Sequence, residues 1–167
     1  MIELINKKHI RKDFDCGNEL LNYYVKNQAG LDIKRKLSAC FVLADIETDC
    51  IQGYYTLSNN SIPIGCFSEP IKRKLPPSYE SIPATLLGRL AIDKNYKGKG
   101  LGKILLIDAL RRSYKVSKEI GSFAVVVDPI DKEAEQFYEK YDFIKLPDSG
   151  KMFIAIRTLK ELFDKKQ

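Results

Sequence analysis

The amino-acid sequence predicts an α/β (α+β) fold, a single domain whose central twisted mixed sheet of about six to seven strands is flanked by helices. Three observations carry this. Stretches rich in β-branched and aromatic residues are interspersed with stretches whose apolar residues recur at helical spacing. A strand, a glycine-rich turn and a helix follow one another without a break over 84–114. The continuous apolar run at 122–127 then reads as a strand buried on both faces, and strand, helix, strand in that order implies a crossover between neighbouring parallel strands.

Each element has its own signal. Residues 1–5 alternate weakly and are expected to open the chain as a strand, and Phe14-Asp15-Cys16-Gly17-Asn18 is turn-like. Leu20, Leu21, Tyr24, Val25 and Gln28 share one helical face, predicting an amphipathic helix to about residue 33, and the basic end Lys34-Arg35-Lys36 suits a helix C-terminus. Residues 38–46 and 51–58 are β-formers around a polar turn at 47–50, which predicts an antiparallel hairpin. The segment 62–83 holds five of the seven prolines and is expected to be an extended surface loop or interrupted edge. A strand over 84–92 follows, with Gly88 a candidate bulge. In the next helix, from about 100 to 114, Leu101, Ile104, Leu105, Leu106, Ile107, Ala109 and Leu110 cover most of the circumference, which predicts a buried central helix. After the 122–127 strand, Asp128 is the expected N-cap and Pro129 the first residue of a helix with Asp131 in its first turn. Ala134, Phe137, Tyr138 and Tyr141 lie on one face of that helix, and a hairpin of 143–146 with 152–156 and a short helix over 159–165 end the chain.

Composition narrows the function. A chain of 167 residues, 44% hydrophobic and 30% charged, has the profile of a soluble globular domain able to bury a core, not of a fibre or a disordered tail. No apolar run approaches the roughly 20 residues of a membrane span, and the first residues lack a signal peptide's basic start and apolar centre, so a cytoplasmic protein is expected. The four cysteines form no Cys-x-x-Cys pair and His9 is the only histidine, which leaves no metal site and favours reduced, structural thiols. A net charge of +6 favours an anionic partner. The positive charge clusters at Lys34-Arg35-Lys36, at Lys72-Arg73-Lys74, at Lys97, Lys99 and Lys103, and at Arg111-Arg112 with Lys115 and Lys118. Any one cluster alone is most simply a solvated face, but together they exceed what a small ligand would use and point to nucleic-acid phosphates.

The chemistry concentrates where strand 84–92 runs into its helix. Leu90-Ala91-Ile92 is followed by Lys97-Gly98-Lys99-Gly100-Leu101-Gly102-Lys103. Glycines let the backbone approach a ligand, and the first turn of a helix has N–H groups without intrahelical partners, so this is a candidate pyrophosphate cradle. The dinucleotide fingerprint fails because Lys103 stands three residues after Gly100, and a Walker A loop fails at Lys97 and after Lys103. A glycine turn that merely joins strand to helix is the simpler alternative. Lysines interleaved with glycines at a helix start weigh against it, because cations there oppose the helix dipole unless an anion is present.

Lys97-x-x-Gly100-x-Gly102 resembles the acyl-coenzyme A loop of the GNAT superfamily of N-acetyltransferases, written Gln/Arg-x-x-Gly-x-Gly/Ala, with Lys97 in place of the first residue. Phe137-Tyr138-Glu139-Lys140-Tyr141-Asp142-Phe143 is similar to the Phe-Tyr-x-x-x-Gly-Phe element of the same superfamily, with Asp142 in place of Gly. With Phe14-x-Cys16-Gly17, Gly53-Tyr54-Tyr55-Thr56-Leu57-Ser58 and Leu87-Gly88-Arg89-Leu90-Ala91-Ile92-Asp93, the chain resembles over nearly its whole length one branch of that superfamily, the GNAT toxins of bacterial type II toxin–antitoxin pairs.

The resemblance implies acetyl-CoA as cofactor. Backbone groups of Leu90, Ala91 and Ile92 would pair with the pantetheine arm, Lys97, Gly98, Lys99, Gly100, Leu101, Gly102 and Lys103 would hold the pyrophosphate, and Asp131 stands where the family usually has a cofactor-contacting Asn. Tyr138 matches the tyrosine that protonates the departing sulfur. A phenol of pKa about 10 is still protonated at neutral pH and can donate to a thiolate of pKa near 8.5. An aromatic on an apolar helical face is ordinarily core, and its place in the motif is what favours the chemical role. Strand 84–92 holds no Asp, Glu or His as a general base. An α-amino group, with a pKa of about 7.7–8.0, is partly neutral without one, whereas a lysine amine is not. This agrees with the toxin branch, whose members acetylate aminoacyl-tRNA and block translation. Arg89, Lys34, Arg35 and Lys36 are candidate substrate-binding residues, and a ribbon-helix-helix antitoxin and a homodimer are the partners implied. Two other readings stay open from the residues: acetylation of a small-molecule or protein amine, and a non-catalytic module that binds acyl-CoA or nucleic acid.

Overall fold

A computed structural model describes residues 1–164. One seven-stranded sheet has the strand order β1-β2-β3-β4-β5-β7-β6. In chain order the elements are β1 (Ile2–Leu4), α1 (Glu19–Tyr23), a π turn (Tyr24–Gln28), α2 (Ala29–Lys34), β2 (Ala39–Ala44), β3 (Ile51–Pro63), α3 (Glu69–Lys72), β4 (Ser81–Ile92), α4 (Leu101–Val116), β5 (Ala124–Val127), α5 (Lys132–Glu139), β6 (Ile144–Lys145), β7 (Met152–Ala155) and α6 (Ile156–Asp164). The expected end of the last helix, Lys165, lies outside the described residues. The chain packs as two compact units, one of Met1–Ser58 with Leu87–Ala109, the other of Asn59–Leu86 with the residues from Leu110 onwards.

In the first unit β2 is antiparallel to both β1 and β3, as the hairpin signal predicts, with a bulge between Leu43 and Ala44. Asn18 caps α1 by accepting from the Leu21 N–H, and Gly17 before it sits at φ 85°, the left-handed region that favours glycine. The predicted single helix over 20–33 is interrupted. A π turn inserts one residue into the periodicity, so the inward face is Tyr24, Val25 and Ala29, while Leu20 is 81% exposed and Gln28 faces solvent. The core of this unit is aromatic: Tyr54 meets Phe14 edge-on at 5.5 Å and stacks with Tyr24 at 6.1 Å between centroids, and its hydroxyl donates to the Leu21 carbonyl at 2.8 Å.

In the second unit β4 and β5 run parallel, with Ala84, Thr85 and Leu86 against Ala124, Val125 and Val126, and β5 is buried along its length. β7 pairs antiparallel with β5 and with β6. The proline-rich segment 62–83 is more ordered than an extended surface loop. It contains the end of β3, the α3 helix and the start of β4, and Ile62, Phe67 and Ile82 are buried in the core. Phe67 meets Phe123 and Phe153 edge-on at 5.9 and 5.4 Å, so apolar residues spaced between the prolines override the loop signal. The helix after β5 is also capped differently from the expectation. Asp131, not Asp128, is the N-cap, accepting from the Ala134 N–H at 2.8 Å, because the chain is still extended at Asp131.

The α4 helix is one-sided rather than buried all round. Leu105, Leu106, Ala109 and Leu110 are buried, while Ile104 is 49% exposed. All four cysteines are free thiols, and burial raises the pKa of Cys16 and lifts that of Cys40 to about 12. His9 is buried, its Nδ1 accepting from the Asn6 N–H. Among the described residues no cluster of His, Cys, Asp and Glu has the arrangement to hold a metal, and no helix is long and apolar enough to cross a membrane.

Candidate acyl-coenzyme A site

β4 pairs with β5 only as far as Leu86, so Leu90, Ala91 and Ile92 lie on the strand beyond that ladder. Their main-chain groups on that edge are left without β5 as a partner. Strand and loop are joined by a short 3₁₀ turn, Lys94–Tyr96, whose N-cap is Asp93.

Asp93 is the structural centre of this junction and is only 4% exposed. One carboxylate oxygen accepts from the Asn95 N–H and the other from the Asp15 N–H, each at 2.9 Å. The Lys94 N–H donates to the Asp15 carbonyl at 2.8 Å, and Lys94 Nζ meets Asp15 Oδ2 at 2.7 Å. Asp15 also accepts from Asn22 Nδ2 and from the Gly17 N–H, and Lys94, then Asn22 and Gly17, hold its carboxyl well below the usual carboxylate range. The turn at 14–18 is thereby pinned to the start of the loop.

The loop leaves its amides free. Gly98 and Gly100 both lie at φ 76°. An L-residue there costs about 1–2 kcal/mol, although a Cβ on either would meet nothing within 4 Å, so glycine is required for its backbone angles and not for space. Among the described residues, none of the backbone N–H groups from Lys97 to Lys103 donates a hydrogen bond within the protein; the first of this region to do so is Ile104, to the Gly100 carbonyl at 3.3 Å. Lys97, Lys99 and Lys103 are exposed around these donors, and Lys99 Nζ lies 5.0 Å from the centre of the Tyr96 ring. Free N–H groups at the start of the 16-residue α4, ringed by lysines, fit a pyrophosphate.

Close packing fixes where strand and helix leave the loop. A Cβ on Gly53 of β3 would stand 2.7 Å from Ile92 Cδ1, 2.9 Å from Leu105 Cδ1 and 3.0 Å from the Ala91 carbonyl oxygen. In the sequence Gly53 and Asp93 appear only within longer motifs, with no individual role. For Asp93 the local signal is a capping residue directly after an apolar strand; for Gly53 the reason is a tertiary contact.

Tyr138 belongs to the second unit. It is the buried residue of α5, its ring 5.3 Å from Phe137 and 5.1 Å from Phe143. Burial raises its pKa, so the phenol keeps its proton across the neutral range. Its hydroxyl makes no hydrogen bond among the described residues and, unlike that of Tyr24, is not sealed from solvent. The side chain of Asp131 is committed to capping α5. At Asp142 φ is 64°, so Asp holds the left-handed conformation that the family's Gly would adopt with less strain.

Of the remaining candidates, Arg89 is half-buried on β4 with its guanidinium carbon 3.7 Å from the centre of the Tyr24 ring. Lys34, Arg35 and Lys36 are exposed at the end of α2, with Lys36 at φ 59°. The structure places them by the α2 C-terminus, which favours cations on its own account.

A family model described as an acetyltransferase (GNAT) domain matches residues 38–145. The chain belongs to the GNAT acetyltransferases. This GNAT protein is 32% identical over 130 residues to a tRNA-acetylating toxin of Mycobacterium tuberculosis, a match covering 78% of this chain and 75% of the relative. Among solved structures, a tyrosine-to-phenylalanine mutant of KacT superposes with a TM-score of 0.92 at 30% identity, covering 98% of both chains. AtaT complexed with acetyl-methionyl-tRNAfMet gives 0.89 at 27% identity, again over 98% of both. AtaTR bound with AcCoA gives 0.83 at 27% identity, over 98% of this chain and 97% of that one.

Proposed function

We propose that this GNAT acetyltransferase uses acetyl-CoA to acetylate the α-amino group of aminoacyl-tRNA, and that the 167 residues act as one catalytic domain in the cytoplasm. The observation that carries the cofactor side is the run of backbone N–H groups from Lys97 to Lys103 without an acceptor among the described residues. These amides bind the pyrophosphate, and the free edge of Leu90, Ala91 and Ile92 pairs with the pantetheine arm. When bound, the coenzyme supplies the acetyl group as a thioester. Tyr138 holds a proton on its phenolic oxygen, raised in pKa by burial, and would give it to the departing sulfur, while the attacking nitrogen would lose one proton to water as its bond to the acetyl carbon replaces the C–S bond.

The acceptor is argued from three directions. β4 carries no Asp, Glu or His, which suits an amine that is already partly neutral at pH 7. The basic residues Arg89, Lys34, Arg35 and Lys36 exceed what the coenzyme needs and suit tRNA phosphates. A relative is a tRNA-acetylating toxin, and a solved neighbour carries an acetylated aminoacyl-tRNA. Acetylation of the aminoacyl group removes the nucleophile that peptide-bond formation requires, so the activity would be toxic in its own cell. A ribbon-helix-helix antitoxin and self-association belong to the same reading, and a solved neighbour is AtaT bound to the C-terminus of the antitoxin AtaR.

Labelled acetyl-CoA offered to charged tRNA, deacylated tRNA and free amines tests the proposal. Label on charged tRNA alone is expected. Equal labelling of a small amine with none on charged tRNA would move the enzyme to a different acceptor.

A further inference from the structure

Arg89 is a cation without an anion. Half-buried on β4, its side chain has no ion pair and no hydrogen bond among the described residues, and it lies instead on the face of Tyr24, 3.7 Å from guanidinium carbon to ring centre. A planar guanidinium offers several N–H donors in a fixed fork, and leaving them unmatched in a partly desolvated place is costly unless a ligand completes them. Tyr24 beneath it cannot supply the countercharge, because burial raises the pKa of its phenol and holds it neutral.

Tyr24 is itself kept at a cost. Its side chain is 1% exposed and its hydroxyl is sealed with no hydrogen-bond partner. Ser38 lies close to it, its own hydroxyl directed to the carbonyls of Ala39 and Leu57. What Tyr24 presents to Arg89 is the face of its ring. The π turn begins at Tyr24, whose ring faces inward, stacks with Tyr54 and carries Arg89. A guanidinium laid flat on an aromatic ring is fixed in orientation with its N–H edge free, which is the geometry for fork-like recognition of an oxyanion.

We propose that Arg89, held flat by Tyr24, is a binding site for a phosphate group of a substrate, with Tyr24 as its positioning residue. Arg89 immediately precedes Leu90, so the site lies on the strand that leads to the pyrophosphate loop. The phosphate belongs either to the nucleic-acid acceptor or to the coenzyme; the former source rests on the function proposed above.

Equilibrium binding of tRNA and of coenzyme A, each measured over a range of salt concentrations, separates the sources. Arg89→Gln is expected to weaken one of the two ligands by about tenfold or more and, where that ligand is tRNA, to flatten its slope of log K against log salt by about 0.7–0.9 for each phosphate no longer neutralised. A weakening confined to tRNA assigns the phosphate to the acceptor; one confined to coenzyme A assigns it to the cofactor. Arg89→Lys should keep the slope and lose part of the affinity. Tyr24→Phe should match wild type, and Tyr24→Leu should weaken the same ligand as Arg89→Gln although the charge remains. Wild-type affinity and slope for both ligands in Arg89→Gln would overturn the proposal. If Arg89→Gln does not fold, Tyr24→Leu against Tyr24→Phe decides, since equal affinities would remove the positioning role. Because binding is read without turnover, failure to acetylate charged tRNA would sink the proposed acceptor and leave this test intact.

Discussion

In the 97–103 loop the groups left over for a ligand belong to the main chain, whereas on α5 they reduce to one side-chain oxygen, and the two regions are built accordingly. The loop is exposed, its glycines at φ 76° sit in open space, and its rigidity comes from outside itself, from Asp93, Asp15 and the close packing at Gly53. The α5 helix secures itself. Asp131 caps it, Glu135 and Glu139 are bridged by Lys145, and Phe137 and Phe143 wall the Tyr138 ring. Where backbone does the binding, side chains are replaceable so long as the backbone angles survive; where a single phenol acts, the reverse holds. That contrast accounts for Lys97 standing where the family has Gln or Arg, and for Tyr138 keeping the motif residue.

The contrast is sharpest at Tyr138. Tyr138→Phe should lower kcat by about 10²-fold or more with coenzyme affinity by calorimetry unchanged, since it removes a general acid and no packing. Unaltered turnover would take the phenol out of the mechanism. In the loop, Gly100→Ala should weaken coenzyme binding by about 5- to 30-fold, the equivalent of forcing an L-residue to positive φ, while Lys97→Ala should cost less than about threefold. The opposite ranking would show that the lysine, not the backbone, holds the anion.

Smaller effects come from the supports. Asp15 is depressed below the ordinary carboxylate pKa of about 3.9, so its contribution is present at neutral pH and is lost as acid titrates it in the fold. Asp15→Asn should therefore melt at lower temperature than wild type at neutral pH, and the two should converge as pH falls below the ordinary carboxylate value; a constant gap would assign the difference to packing. Smallest is Asp142→Gly, which relieves a left-handed Asp at φ 64° and should raise Tm by about 1–2 °C without changing kinetics.

The sequence signals are strongest where function is local. The glycine loop, the parallel pair around α4 and the Phe-Tyr element are each contiguous, and their patterns carry through to β4, α4, β5 and α5. What escapes depends on partners distant in the chain. The π turn shifts the inward face by one residue, and no periodicity of Leu20, Leu21, Tyr24, Val25 and Gln28 announces it. Asp128 before Pro129 reads as the cap, but the backbone is still extended at Asp131, and Asp131 caps the helix instead. Prolines hide the burial of Ile62, Phe67 and Ile82, because turn chemistry is read at the prolines and burial is set by what lies across the core. Arg89 is visible in the sequence only as a basic residue within an apolar strand; the ring beneath it exists only in three dimensions.

The closeness of Gly53 to Ile92 and Leu105 has a consequence for how such proteins diverge. A methyl group at that one place on the adjoining strand would press on the side-chain ends of Ile92 and Leu105 and on the Ala91 carbonyl, the neighbours on either side of the glycine turn. The letters of the turn itself can then drift, as Lys97 has, while a constraint on its surroundings is written elsewhere, on a different strand.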